Sequence, residues 1–506
     1  MLDNYWKQFK SGTDIRGVAV DGVEGQPLNL TDEAIEKMAS AFALWLAEKR
    51  GKDVAKLKIS VGHDSRISAG RISAAVIRSL YAAGVNVIEC GLASTPAMFM
   101  STLGLECDGA VQITASHHPF NRNGLKFFTP DGGLGGDDIT AILEKCQNGD
   151  VCAPAEGKHE WVDFMAQYAA DLRELIKKEA NAGDFEHPLA GFKIVVDAGN
   201  GAGGFYARDV LAPLGADITG SQFLEPDGNF PNHIPNPEAP EAMEAVRSAA
   251  VRNNADLGII FDTDVDRAGC VDSRGTEINR NRLVALASAI ALENCPGGTI
   301  VTDSITSDGL KEFIEGVLGG KHFRYKRGYR NVIDKAVELN AQGIQCPLAI
   351  ETSGHAALKE NYFLDDGAYL ITKIIIKMIK LKNVGSSLDE LTAPLREPLE
   401  AKEIRIKILP EDFAAEGKKV IDELTAFAEQ TEGWNVAPDN REGIRVSFDD
   451  FWAKGWFLLR LSVHDPILPV NIESDTRGGV EIIEHKLCDF LSRYSDTLDL
   501  SPFNIT

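Results

Sequence analysis

The sequence predicts an α/β protein of several domains with an α+β segment at its end. Three observations carry that reading. Strand-like apolar runs alternate with helical patterns as far as about Leu399. Past Leu399 the runs alternate apolar with polar residues, as half-buried antiparallel strands do. The length of 506 residues, 44% hydrophobic and 25% charged, is enough for several buried cores of ordinary globular composition.

The elements follow in order. Thr31 to Arg50 has helical apolar spacing, an acidic first turn in Asp32 and Glu33, and Gly51 to stop it. Lys58 to Gly62 reads as a strand, His63-Asp64-Ser65-Arg66 opens a second helix with Ser68, Ala69 and Ile72, and Val85 to Glu89 is the next strand. For Asp64 and for Ser94, in the loop Gly91 to Pro96, the reading is capping and turn chemistry. Asp163 to Ala180 is a charged amphipathic helix connecting two domains. Gly191 to Val196 opens a second α/β unit. Its glycine-rich turn, Asp197 to Gly204, lacks both the Gly-x-Gly-x-x-Gly spacing and a Walker lysine, so close strand–helix packing explains it better than nucleotide binding. Asn281 to Leu292 and Asn331 to Leu339 are helical, and Thr299 to Thr302 and Pro347 to Ile350 are strands. Lys402 to Ile408 and Gly443 to Phe448 are antiparallel strands, and Ala414 to Gln430 and Val480 to Arg493 are helices.

Composition narrows the function. A net charge of -23 argues against nucleic acid as the main partner, although local positive sites for a small phosphate ester remain compatible with it. No apolar run approaches the roughly 20 residues that span a bilayer, and no secretory h-region is evident in Met1 to Lys10. The 8 cysteines have no Cys-x-x-Cys spacing and read as reduced thiols of a cytoplasmic protein.

Four stretches carry chemistry. An apolar strand, Gly109 to Ile113, runs into Thr114-Ala115-Ser116-His117-His118-Pro119. A serine hydroxyl at a strand end, flanked by imidazole and near Lys126, suits covalent phosphoryl chemistry; the plain alternative is a polar turn. Gly258 to Phe261 delivers the alternating carboxylates Asp262, Asp264 and Asp266, followed by Arg267. Three unpaired carboxylates at close range repel one another, and a hard divalent cation is the simplest compensation. An EF-hand does not fit Arg267 and Ser273, while an aspartyl-nucleophile phosphatase and a solvated acidic turn stay open. Glu351-Thr352-Ser353-Gly354-His355 offers the mixed donors and acceptors that vicinal sugar hydroxyls need, or else is a capped turn. In Gly12-Thr13-Asp14-Ile15-Arg16-Gly17, Arg16 can grip a phosphate or carboxylate or lie solvated.

These stretches resemble the loops of the α-D-phosphohexomutase superfamily, most closely the phosphomannomutase/phosphoglucomutase group. The serine loop is similar to Thr-Ala-Ser-His-Asn-Pro followed by Asn-Gly-x-Lys, with His118 in place of Asn. The metal loop Asp-x-Asp-x-Asp-Arg matches throughout, and the sugar loop Gly-Glu-x-Ser-Gly-His matches from Glu351 onward. The Pro226 to His233 segment and Asp365-Asp366-Gly367 also resemble family segments. The final phosphate loop, Arg-x-Ser-Gly-Thr-Glu-Pro-x-x-Arg, is matched at Arg460, Ser462 and Pro466 but has Val463, His464 and Pro469 at three family positions. Arg477 is the expected substitute for the arginine missing at Pro469, and Tyr329 replaces a polar residue of the family.

The resemblance implies three similar α/β mixed-sheet domains, 1–185, 186–296 and 297–399, followed by an α+β domain, 400–506, around a central cleft. It implies interconversion of hexose 1-phosphate and hexose 6-phosphate, of mannose, glucose or both, through phosphorylated Ser116 and a hexose 1,6-bisphosphate. Mg²⁺ would sit on Ser116, Asp262, Asp264 and Asp266. Arg16 and Arg267 would steady the transferring group, with His117 and Lys126 as acid and base. Glu351, Ser353, His355, Arg460, Ser462 and His464 would bind substrate. The protein would be a monomer or homodimer. A phosphoglucosamine mutase and a non-catalytic phosphosugar-binding protein are the alternatives.

Overall fold

A computed structural model describes residues 2–462 and 465–503. By its contacts the chain divides into two compact units: Met1–Leu283 with Ser353–Glu390, and Val284–Thr352 with Leu391–Thr506.

The first unit holds two sheets. The larger has eight strands, with Lys58–His63 near its middle, parallel to both Asn86–Leu92 and Gly109–Ile113. Arg122–Thr129 runs antiparallel to Gly109–Ile113 and carries Asp14–Val18 on its other side. The sheet is therefore mixed, and its parallel centre is buried on both faces, as βαβ crossovers require. Helices Asp32–Arg50 and Ala69–Ala82 pack together over it. Their buried Ile35, Met38, Phe42 and Ile72 join Ile59, Val61 and Val111 of the strands in one apolar core. The Asp32–Arg50 helix is delimited as its sequence demands. Thr31 accepts from Ala34 N at the start, and Gly51 takes the left-handed conformation (φ 62°) at the end. The second sheet has four strands, with Leu257–Phe261 between the parallel Ile194–Asp197 and the antiparallel Ala268–Asp272. The hairpin Ala356–Leu358 with Leu364–Asp365 and the helix Gly367–Asn383 complete this unit.

In the second unit, Thr299–Thr302 lies parallel to Lys321–Arg324 and Leu348–Ile350. The C-terminal part is an antiparallel sheet of six strands, in which Ile467–Ser474 sits between Lys454–Leu459 and Glu400–Ile408. Helices Phe413–Gln430 and Gly479–Leu491 bury Val420, Leu424, Ile483 and Leu487 against it. The expected α+β ending is present.

Two departures from the sequence reading are local. The helix after Lys58–His63 begins at Ala69, so Arg66 lies in the turn before it and not within it. The glycine-rich turn after Asp197 leads into a π-helix, Tyr206–Leu211. All eight cysteines are free, and no helix among the described residues is long and apolar enough to cross a membrane.

The expected connector, Phe164–Glu179, is fastened by a buried contact: Tyr168 donates its hydroxyl to the Asp366 carboxylate at 2.7 Å. Asp366 also caps Gly367–Asn383 by accepting from Tyr369 N. Replacing Tyr168 by Phe removes a hydrogen bond to a charged acceptor and should lower unfolding free energy by about 1.5–3 kcal/mol, read as a shifted denaturant midpoint at constant slope.

Candidate active site

Ser116 stands three residues past the carboxyl end of Gly109–Ile113, and Asp262 directly follows Leu257–Phe261. Carboxyl ends of parallel strands are where α/β sheets place ligands. Both loops are strained. Ser116 has φ 48° and Val265 has φ 69°, conformations that cost non-glycine residues energy, more so a β-branched one. At Val265 the reason is packing: its carbonyl accepts from Gly367 N, and Gly367 lies so close that a Cβ there would come 2.9 Å from that oxygen.

The loops meet at the serine hydroxyl. Ser116 Oγ donates to Asp262 Oδ2 at 3.1 Å, and Arg267 Nη2 donates to Ser116 Oγ at 3.3 Å. Arg267 is buried and also holds Asp262 through Nε at 3.1 Å and Asn236 Oδ1 through Nη1 at 3.1 Å. The proline-rich loop containing Asn236 is thus tied to the arginine of the metal loop. Lys126 Nζ pairs with Asp266 Oδ2 at 2.9 Å. Arg16 is partly buried, with Nη2 at 2.7 Å from Asp14 Oδ2.

The carboxylates of Asp262, Asp264 and Asp266 offer oxygens within 4.8 Å of one another, all buried. Burial, with repulsion from Asp266 and Asp264, pushes the Asp262 pKa well up despite Arg267. Oδ1 of Asp264 and Oδ1 of Asp266 are buried and accept no hydrogen bond among the described residues. Orphaned hard oxygens around one point fit a divalent cation. Thr95 steadies the set by donating from Oγ1 to Asp264 Oδ2 at 2.5 Å and from its backbone N to Asp264 O at 2.8 Å. The glycine turn backs the same loop: a Cβ on Gly201 would lie 2.6 Å from Thr263 O, so its glycine serves close packing.

The histidines divide sharply. His117 Nδ1 lies 3.3 Å from Ser116 Oγ; burial, aided by Arg267, His118 and Arg16, holds its pKa down to about 2. The ring is therefore neutral at pH 7. Burial would also lower His355, but the carboxylates of Asp365, at 2.5 Å, and Asp266 overcome it and raise the pKa to about 9. Sequence reasoning gave His355 to the sugar alone. Its backbone bridges Arg267, and Gly354 (φ 97°) would clash with Ala268 O if it carried a Cβ.

Ser353 is buried in the first unit, and Glu351 belongs to the second, where its Oε1 accepts from Gly328 N at 2.6 Å. In the second unit Arg460 N donates to Pro469 O, and Ser462 N to Ile467 O. His464, like Val463, lies outside the described residues. Arg477 cannot replace the arginine missing at Pro469. It follows the far end of Ile467–Ser474, and about 17 Å of strand separates Pro469 from Ser474. Arg327 is better placed: its N donates to Glu442 Oε2 at 3.1 Å, and Gly443, next along, lies against Arg460, where a Cβ would come 2.7 Å from Arg460 Cα.

Residues 8–150, 166–275 and 279–397 match, in turn, alpha/beta/alpha domains I, II and III of the phosphoglucomutase/phosphomannomutase family. The chain belongs to that family. A phosphomannomutase/phosphoglucomutase of Pseudomonas putida is 31% identical over 88% of this chain and 89% of its own length. A phosphoglucomutase of Neisseria gonorrhoeae is 31% identical over 94% of each. A crystal structure of a phosphoglucomutase/phosphomannomutase family protein from Burkholderia thailandensis superposes with a TM-score of 0.77, at 27% identity, covering 97% of this chain and 98% of that one. In this family member the three α/β domains are followed by the antiparallel C-terminal sheet.

The contact from Thr95 orients a metal-loop carboxylate from outside. Thr95→Val should weaken divalent-cation binding about 10- to 100-fold in a calorimetric Mg²⁺ titration, with the fold intact by circular dichroism.

Proposed function

We propose that this protein is a phosphohexomutase that interconverts hexose 1-phosphate and hexose 6-phosphate, with mannose, glucose or both as the sugar. Phosphorylated Ser116 gives its phosphoryl group to the free hydroxyl of the substrate, and the resulting hexose 1,6-bisphosphate returns the other phosphate to Ser116. The observation that carries this reading is the placing of one serine hydroxyl 3.1 Å from Asp262 and 3.3 Å from Arg267. A nucleophile beside a metal-type carboxylate and a fixed guanidinium is what phosphoryl transfer needs, because catalysis there is mainly positioning and charge stabilisation.

Asp262, Asp264 and Asp266, with Ser116, would hold Mg²⁺, which when bound draws charge from the transferring group. Arg267, pinned by Asp262 and Asn236, presents its guanidinium to the same oxygens without having to reorganise. Arg16 is read as a second such cation. Lys126, paired with Asp266, and His117, with Nδ1 3.3 Å from Ser116 Oγ, are the candidate proton carriers, and His355, paired with Asp365, is a third. Ser353 and Glu351 bind sugar hydroxyls.

Arg460 and Ser462 bind the non-reacting phosphate, and Arg327 supplies the second guanidinium that Pro469 does not. Burial lowers the Arg460 pKa, and the nearby charge of Arg327 adds to this against Glu442 and Glu403. A dianion placed between the two guanidinium groups would relieve their repulsion. The four-segment reading, 1–185, 186–296, 297–399 and 400–506, draws on the order of the three family matches, although the second and third begin at 166 and 279, before their segments. Location in the cytoplasm, a monomer or homodimer, and no binding to nucleic acid complete the reading; the charge of -23 favours the last.

Intact-mass analysis should find one phosphate on the protein, absent in Ser116→Ala and lost on adding excess hexose monophosphate, which leaves as the 1,6-bisphosphate. Ser116→Ala should also lose nearly all mutase turnover. Near-normal turnover by that variant would exclude the covalent route. Turnover of mannose, glucose and glucosamine phosphates side by side identifies the sugar. Arg327→Ala should raise KM about 10- to 100-fold, the loss expected for a charge-assisted phosphate contact, with a smaller effect on kcat.

A further inference from the structure

Arg66 has no part in the chemistry described above, yet it is among the most completely buried charged side chains in the protein. Its guanidinium donates to four backbone carbonyls of the serine loop. Nη2 reaches Ser116 O at 2.5 Å and His118 O at 2.6 Å, while Nη1 reaches Pro119 O at 2.7 Å and Arg122 O at 2.9 Å. Burial works against a cation there, and the Asp64 carboxylate, 3.4 Å from Nε, compensates it.

Asp64 also acts on the other side of the serine. Its Oδ2 accepts from Thr114 Oγ1 at 2.7 Å, and Thr114 Oγ1 in turn accepts from Ser116 N at 2.9 Å. The peptide groups before and after the Ser116 Cα are therefore both gripped. One is held through Thr114 and the other by Arg66, and both grips are anchored on Asp64. Between them Ser116 keeps φ 48°, a conformation that a free serine rarely adopts.

A third element closes the arrangement. The Phe230 ring lies 5.5 Å from the Arg66 guanidinium carbon. Phe230 is itself left-handed, with φ 47°. Two residues earlier, Gly228 presses on the same turn so closely that a Cβ would meet Ile67 N at 2.3 Å and Ser65 O at 2.6 Å. The Pro226–His233 stretch, which the mechanism left without a task, thus caps the guanidinium.

We propose that Arg66 is a positioning residue for phosphoryl transfer. With Asp64 and Thr114 it locks the Ser116 backbone in the strained conformation that aims Oγ at Asp262 and Arg267, and Phe230 keeps the guanidinium in place. The proposal rests on the reading of Ser116 as the phosphoryl carrier. A lysine at this position keeps the charge but presents a single ammonium with three donors, so it cannot serve four carbonyls in a planar fork. The serine loop then relaxes, and Oγ loses its alignment.

The test compares Arg66→Lys, Arg66→Ala, Thr114→Val and Phe230→Ala with the unmodified protein, measuring kcat, KM and melting temperature. Arg66→Lys should lower kcat about 100-fold, the scale of a roughly 1 Å misplacement, with KM within about twofold. Thr114→Val, which removes the grip on Ser116 N and its link to Asp64 but leaves the Arg66 contacts, should show the same kcat-selective loss in a well-folded protein, and Phe230→Ala a smaller one. Free guanidinium ion at millimolar concentration should restore part of the kcat of Arg66→Ala without changing its KM. The proposal is overturned if Arg66→Lys and Thr114→Val keep normal kcat, or if activity falls only in proportion to the folded fraction and guanidinium restores none. An unmodified protein that itself lacks mutase turnover would instead defeat the reading of Ser116, which separates the two failures.

Discussion

Three carboxylates cannot share one buried pocket without compensation, and the first unit is arranged around that constraint. Asp262, Asp264 and Asp266 converge within 4.8 Å. Their neighbours supply what positive charge the chain has to offer: Arg267 on Asp262, Lys126 on Asp266, and a protonated His355 facing Asp266 and Asp365. Two carboxylate oxygens still lack partners among the described residues. Side-chain cations alone leave that part of the cluster unsatisfied, which is the physical case for a divalent ion.

The strain in the surrounding backbone follows from the same demand. Ser116 and Val265 hold left-handed conformations, and each is over-determined by contacts that a relaxed loop would lack. Val265 is fixed by Gly367 and Ser116 by hydrogen bonds on both flanking peptides. Such local costs are tolerated because the neighbouring sheets are well packed, and they are concentrated where a hydroxyl and a set of oxygens must be held in place before a substrate arrives. In the C-terminal part, by contrast, Pro469 lies within the strand Ile467–Ser474, and the charge of Arg327 acts on the buried Arg460.

Much was legible in the sequence where a few residue types are diagnostic by themselves. The Asp262–Asp264–Asp266 alternation after an apolar strand admits few chemical uses, and the serine loop stands out at its strand end. Helix limits at Thr31 and Gly51 were readable because capping is local. The Arg66 grip was not. It works on backbone carbonyls, which every residue possesses, so no residue type at positions 116 to 122 announces it. The protonated state of His355 was equally hidden, because it depends on Asp365 and Asp266 together. The distance of Arg477 from Pro469 was hidden for the same reason: eight positions seem near until the first five steps run along an extended strand.

The amino-acid order by itself determined the element types, the loops that carry chemistry and the family they resemble, since these depend on local periodicity, capping and short-range residue chemistry. Only the tertiary structure decided which of those loops share the Ser116 hydroxyl, which histidine carries a proton, and which arginine serves the backbone and which the serine hydroxyl. Those outcomes depend on burial and on distances between residues that lie on different elements of the chain, and electrostatic energies change steeply with both.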